Sequence, residues 1–315
     1  MFYYDRGLKL TETDLAIDVR RRQPRAFVSH AHVDHMARHE LALCSPPTAR
    51  LYQLRMGVRP VLEMPYGQPL EWGGLRLTSY PAGHCLGSAM LLVESDQGSL
   101  LYTGDFKLSG SLTAEPAELP RADRLVIEST YGDPRYRLPP REEAVARLLD
   151  AVRIALDRGE TPVIRSYALG KSQEVTRLLT AAGIPVLQHR DVHEVSCAYE
   201  ELGVALGEFA LYPGYPRPGH AVIVPPYIRG AAEHLRIDRA CTIAVSGWAA
   251  DPSTCWRLRA DVAVPLSDHA DFDELLEAVG RVGPREVYCT HGPASFVEHL
   301  RAAGWHAQRL EDRVG

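Results

Sequence analysis

The chain has 315 residues, room for one large domain or two ordinary ones. Its 45% hydrophobic and 24% charged content is that of a soluble globular chain, and no apolar run approaches the ~18 residues of a membrane span. The formal net charge of −5 excludes a uniformly basic nucleic-acid binder, though not a local site where bound cations reverse the sign.

Residues 1–6 lack the basic-then-apolar order of a signal peptide. Cys44, Cys85, Cys197, Cys241, Cys255 and Cys289 are scattered, with no C-x-x-C pair. That spacing argues against a zinc ribbon or a disulfide framework, and a reducing cytoplasm is the expected location.

The first 133 residues predict short strands at 15–19, 26–29, 75–80, 88–94, 99–103 and 125–128. Asp96-Gln97-Gly98 is a hairpin turn, and 49–57 a short helix. The texture changes at Asp133-Pro134. Pro139-Pro140, then Glu142 and Glu143, then apolar positions at 145, 148, 149, 152 and 156 predict an amphipathic helix that stops at Gly159. Strands at 162–168, 184–188, 221–225 and 242–245 follow, with helices at 171–182 and 191–202 between the earlier ones. That order predicts βαβ units and a parallel sheet. After Asp261 come a strand at 262–266, a helix at 272–279, a strand at 286–290 and a helix from Ala294. The expected organisation is an α/β insertion at 136–261 in a β-rich host made of 1–135 and 262–315.

The chemistry concentrates at strand ends. Val28-Ser29-His30-Ala31-His32-Val33-Asp34-His35 places three histidines and an aspartate within six residues. On extended backbone His30 and His32 point the same way. One cation could take that pair and a second Asp34 with His35, zinc first, with manganese or iron as alternatives. Gly83-His84, Thr103-Gly104-Asp105 and Thr290-His291-Gly292 each end a predicted strand on a further ligand, and an aspartate such as Asp105 can bridge two cations.

In this order the motifs resemble the metallo-β-lactamase superfamily. Ile127-Glu128-Ser129-Thr130-Tyr131-Gly132 and Leu266-Ser267-Asp268-His269-Ala270-Asp271-Phe272 are similar to the acidic and histidine motifs of its β-CASP nucleases, which include ribonuclease J, the cleavage and polyadenylation endonuclease and the cross-link-repair exonucleases. Residues 167–174 resemble the helix start inside the β-CASP insertion, and Ser246-Gly247-Trp248 its last strand. In texture the chain is most similar to the bacterial ligase-associated DNA-repair exonucleases.

The resemblance implies an αββα sandwich carrying an inserted α/β domain. It implies one metal on His30, His32 and His84, a second on Asp34, His35 and His291, and Asp105 between them. It also implies that Glu128 orients His269. The expected reaction is phosphodiester hydrolysis by a metal-bridging hydroxide, with Asp34 handling the water and His269 as general acid. The expected substrate is nucleic acid, single-stranded DNA first and RNA as the alternative, with a DNA ligase or helicase as repair partner and no membrane.

Gly170-Lys171-Ser172 is not a P-loop, because Arg165 stands where the first glycine belongs. Lys171, Ser129, Thr130 and Ser246 are instead expected to contact substrate phosphates. Against a nuclease stand a small-ester hydrolase, which has no use for the insertion, and an inactive binding subunit, which would have lost ligands present here.

Overall fold

The alternating apolar pattern of the first half becomes two sheets. The computed structural model describes residues 1–312 apart from Arg6, Asp14 and Arg229, and divides into two units, 1–134 with 269–315, and 135–268. In the first unit β1 (Phe2–Tyr4), β2 (Leu8–Leu10), β3 (Leu15–Ile17), β4 (Arg25–Phe27), β5 (Leu41–Cys44) and β6 (Val61–Glu63) lie side by side in that order. From β3 to β6 they run parallel.

The second sheet of this unit takes β7 (Pro69–Trp72), β8 (Leu75–Pro81), β9 (Ala89–Ser95), β10 (Gly98–Tyr102) and β11 (Arg124–Glu128). Beyond the other unit the chain adds β18 (Glu286–Thr290) and β19 (Ala307–Arg309). The order is β19-β18-β11-β10-β9-β8-β7. From β10 to β19 the strands are parallel, and β8 shares their direction because it and β10 are each antiparallel to β9.

Period-two alternation decides which residue faces what. Leu91, Val93, Leu100, Tyr102 and Val126 meet Leu15, Ile17, Phe27 and Leu43 of the first sheet. Their neighbours Met90, Leu92, Leu101, Leu125 and Ile127 turn the other way, onto Leu275, Val279, Phe296 and Leu300. Those four belong to the outer helices α7 (Phe272–Val282) and α8 (Ala294–Ala302). Each large apolar side chain so buried stabilises the fold by about 1.5–3 kcal/mol. Helix α7 starts where Asp271 accepts the Asp273 and Glu274 N–H groups and stops at left-handed Gly283. Helix α1 (Pro46–Met56), capped by Ser45, buries Leu51 and Tyr52 beside β6. The result is an αββα sandwich.

The second unit is a fully parallel sheet of β12 (Thr161–Arg165), β13 (Val186–Gln188), β14 (Phe209–Leu211), β15 (Ala221–Val224), β16 (Ala240–Val245) and β17 (Val262–Val264). Their order is β14-β13-β15-β12-β16-β17. Both faces are apolar, as a parallel sheet requires. Ile164, Val186, Ile223 and Ile243 pack on α2 (Arg141–Asp157) and α3 (Lys171–Ala181) through Leu148, Val152, Val175 and Leu179. Val163, Leu187, Val222 and Val224 face Ala231 of the short α5 (Ala231–His234) and the following Leu235 and Ile237. Helices α4 (Arg190–Glu201) and α6 (Thr254–Leu258) complete the unit.

The strand expected to begin the return to the host instead closes this sheet. Val262 pairs with Ile243, so the chain rejoins the first unit at His269. A short apolar strand does not name its partner, and periodicity alone could not assign it. Among the described residues, no helix is long and apolar enough to cross a membrane.

Lys171 corrects a second expectation. Its side chain is 1% exposed, with Nζ 2.8 Å from Asp268 Oδ1 and donating to the Leu266 carbonyl. It therefore serves the fold of the second unit and does not offer its charge to a substrate phosphate. Lys171→Met, which strips Asp268 of this cation in a dry setting, is expected to cost about 3–5 kcal/mol. Urea unfolding of the whole chain measures it.

Candidate metal centre

Strands that run parallel release their chains at the same edge, and the predicted ligands of the first unit meet at such an edge. His30 and His32 follow β4, His84 follows β8, Asp105 follows β10, Glu128 ends β11, and His291 follows β18. Asp105 is at the middle. Its Oδ2 lies 3.2 Å from His35 Nε2, 3.5 Å from His30 Nε2 and 3.9 Å from His84 Nε2, and its Oδ1 lies 4.0 Å from His291 Nδ1. His32 Nδ1 is 3.0 Å from His30 Nε2 and 3.1 Å from His84 Nε2. Two ligand groups result, His30, His32, His84 and Asp105, and His35, Asp105 and His291. Asp34 stands outside the close groups. Its side chain is 55% exposed, with a carboxylate oxygen 3.9 Å from His35 Nε2.

The donor set suits cations. A proton on His32 Nδ1 can serve one of its two imidazole contacts, whereas a metal ion would serve all three rings. Burial and the neighbouring His35, His84 and His32 push the His30 pKa well below its usual value, so the ring stays neutral as a ligand must. Burial acts to lower His35 too, but Asp105 and Asp18 outweigh it and raise it well above the usual range. Burial acts to raise Asp105, and His35 and His269 override it, holding the carboxyl well below the usual carboxylate range. Positive charge is what this cluster lacks.

Beside it stands a second pair. Glu128 is 1% exposed. Its oxygens lie 3.0 and 3.2 Å from His269 Nδ1. They also accept the Phe106 N–H and the Thr130 hydroxyl. The carboxylate is thus fixed, and it fixes the imidazole, whose ring centre is 4.6 Å from that of His84.

Comparisons with known proteins point the same way. The family described as Zn-dependent metallo-hydrolase RNA specificity domain matches residues 257–310. A protein of Opitutus terrae named a probable DNA ligase is 38% identical over 308 residues, 96% of this chain but 30% of its own length. Transcription termination factor FttA of Methanocaldococcus jannaschii is 33% identical over 49% of the chain and 30% of the factor. Subunit 3 of the cleavage and polyadenylation specificity factor of Dictyostelium discoideum is 26% identical over 75% of the chain and 37% of that protein. The chain spans about a third of each relative. A solved structure of a protein of unknown function from Enterococcus faecalis V583 shares the fold, with a TM-score of 0.56 at 15% identity, covering 85% of this chain and 75% of that one.

The chain belongs to the β-CASP family of metallo-β-lactamase-fold proteins.

Within that family fold, two glycines bring the strand ends together. At Gly83, with φ +79°, a Cβ would sit 2.2 Å from the Lys107 carbonyl, and at Gly292 one would sit 1.9 Å from the Ser129 carbonyl. Only glycine permits those approaches beside His84 and His291.

The sequence reading missed Asp18. It follows β3 in the left-handed region, φ +47°, and supports the β-CASP ligand cluster from behind. Its Oδ2 lies 2.8 Å from His35 Nδ1 and accepts the Ser29 and Tyr102 hydroxyls, while Oδ1 accepts the Ser29 N–H. Burial and Asp18 keep the Tyr102 hydroxyl protonated, hence a donor. A carboxylate behind a metal-binding imidazole sets its orientation and basicity. The one sequence signal was an acid inside the apolar run 15–19. Asp18→Asn is expected to weaken metal affinity about 10- to 100-fold with the fold intact. Titration with a competing chelator checks it.

Two expected phosphate contacts are otherwise engaged. Ser129 is buried and its hydroxyl donates to the Thr290 carbonyl, while the Thr130 hydroxyl donates to Glu128. The first ties β11 to β18 and the second holds the carboxylate. Ser246 is half-buried, caps the turn Gly247–Ala250 by accepting the Trp248 N–H, and lines a cavity in the second unit. Ser246–Trp248 thus begins a turn after β16, where a strand was expected.

Proposed function

We propose that this chain is a metal-dependent phosphodiesterase that cleaves single-stranded nucleic acid, with DNA as its first substrate. The observation that carries this reading is the Glu128–His269 pair, an oriented proton donor set beside a cluster able to hold two cations. Divalent ions there would polarise a phosphodiester and acidify a water. Zinc is the first candidate and manganese the second.

The chain's own groups do the rest. His30, His32 and His84 hold one position, His35 and His291 the other, with Asp105 reaching both. Asp34, exposed at the rim, joins the second position and takes the proton of the attacking water. His269 keeps Nδ1 on Glu128, so Nε2 is the atom that delivers a proton to the leaving oxygen. Glu128 holds the ring in the protonated form.

The Opitutus terrae relative, matched by nearly this whole chain and named a probable DNA ligase, supports DNA and suggests a ligase as partner. RNA is the second reading. It is favoured by the RNA specificity description of residues 257–310 and by relatives named for transcription termination and polyadenylation. All six cysteines are free, which supports a reducing cytoplasm.

The deciding assay offers 5′- and 3′-labelled single-stranded DNA and RNA with zinc, manganese or magnesium. Metal-dependent shortening of the DNA is expected. Shortening of RNA alone would move the reading to the second substrate, and no cleavage of either under any metal would end it.

A further inference from the structure

We infer that the second unit carries a pocket of its own for one nucleotide, separate from the metal chemistry of the first unit. Within the sheet the chain leaves β12 toward β13 and β14, returns to β15, then crosses β12 to place β16 and β17 on the far side. The loops after β12 and β16 therefore part in opposite directions. In a parallel sheet such a switch point opens a crevice at the carboxyl ends of the strands, where ligands bind.

A cavity of about 430 Å³ occupies that crevice, lined by Arg165, Tyr167, Ser246, Trp248, Thr254 and Arg257 among others. The size is that of a small-molecule site.

The lining sets the chemistry. Tyr167 is 52% and Trp248 36% exposed, two large rings at the wall of one cavity. Trp248 is braced, its ring edge-on to Tyr136 at 5.0 Å, its N–H on Ser246 Oγ and its carbonyl on the Thr254 hydroxyl. Arg257 is held by the Thr254 hydroxyl and lies 3.7 Å from Asp251, with its side chain 46% exposed. Arg165 donates to the Leu258 and Pro226 carbonyls across the floor. Fixed aromatic faces accept a flat ring, and guanidinium groups beside them accept an anion attached to it. A nucleobase with its phosphate has both features. The nucleotide may be supplied free or as one unit of a strand, and the two sources share this chemistry.

Calorimetric titration of the full chain with dAMP tests the inference. dAMP contains no internucleotide bond, so the result is independent of turnover at the metal centre. Saturable binding is expected, weakened about 10-fold by Tyr167→Ala. Deoxyadenosine should bind more weakly than dAMP, and Arg257→Gln should remove that difference. Asp105→Ala should leave dAMP binding unchanged. Competition by a short oligodeoxyadenylate at lower concentration than dAMP would identify a strand as the source, and equal or weaker competition a free nucleotide. No saturation at millimolar dAMP overturns the inference, as does binding that Asp105→Ala abolishes and Tyr167→Ala leaves intact. Tyr167 and Arg257 lie largely at the surface, so their replacement leaves the fold in place.

Discussion

Asp105→Ala is expected to reduce cleavage by at least about 10⁴-fold, equivalent to some 5.5 kcal/mol of transition-state stabilisation. Bound metal should fall with it. The reasoning is geometric. One carboxylate lies within 4.0 Å of four imidazoles drawn from both ligand groups. Removing it leaves His30 and His84 without their shared anion and His35 with Asp18 alone. Repulsion between cations that close together is no longer offset by a common negative ligand. Metal analysis and an oligonucleotide assay on the same preparation read both effects. A variant that kept its metal and its rate would place the centre elsewhere.

His269→Ala is expected to give the opposite pattern, with metal retained and turnover reduced about 10²- to 10⁴-fold, the range for loss of a positioned general acid. His269 sits at the edge of the cluster, with its ring bound to Glu128 and its neighbour Ala270 donating its N–H to the Phe106 carbonyl. The loss should appear in kcat with KM little changed, because the proton moves in the transition state. A substrate whose leaving group needs no proton, such as a nitrophenyl phosphodiester, should be spared much of the loss. Full rate on oligonucleotides in this variant would remove the general-acid role.

The contrast between these variants reflects what a sequence can and cannot disclose. His30, His32, His84, Asp105 and His291 stand at the ends of short apolar strands, and a polar group ending an apolar run is visible without coordinates. Their meeting depends on parallel strands opening at one edge, which the motif order implied. Asp18 was hidden because an acid one residue past Ile17 reads as part of the strand, and its left-handed turn follows from the tertiary contacts with Ser29, His35 and Tyr102.

Lys171, Ser129 and Thr130 were misread for a related reason. A polar residue near a glycine or a strand end suits an anion, and nothing local reveals a partner far along the chain. For Lys171 that partner is the Leu266 carbonyl, 95 residues away. The β17 strand shows the same limit for the fold, since Val262-Ala263-Val264 would suit either sheet and pairing with β16 decided it.

The most direct test of the account is the metal content of the full chain purified without chelator, measured by mass spectrometry against protein concentration. Two divalent ions per chain, falling sharply in Asp105→Ala, is the predicted result. A chain that holds none, and takes up none when zinc or manganese is supplied, would contradict it.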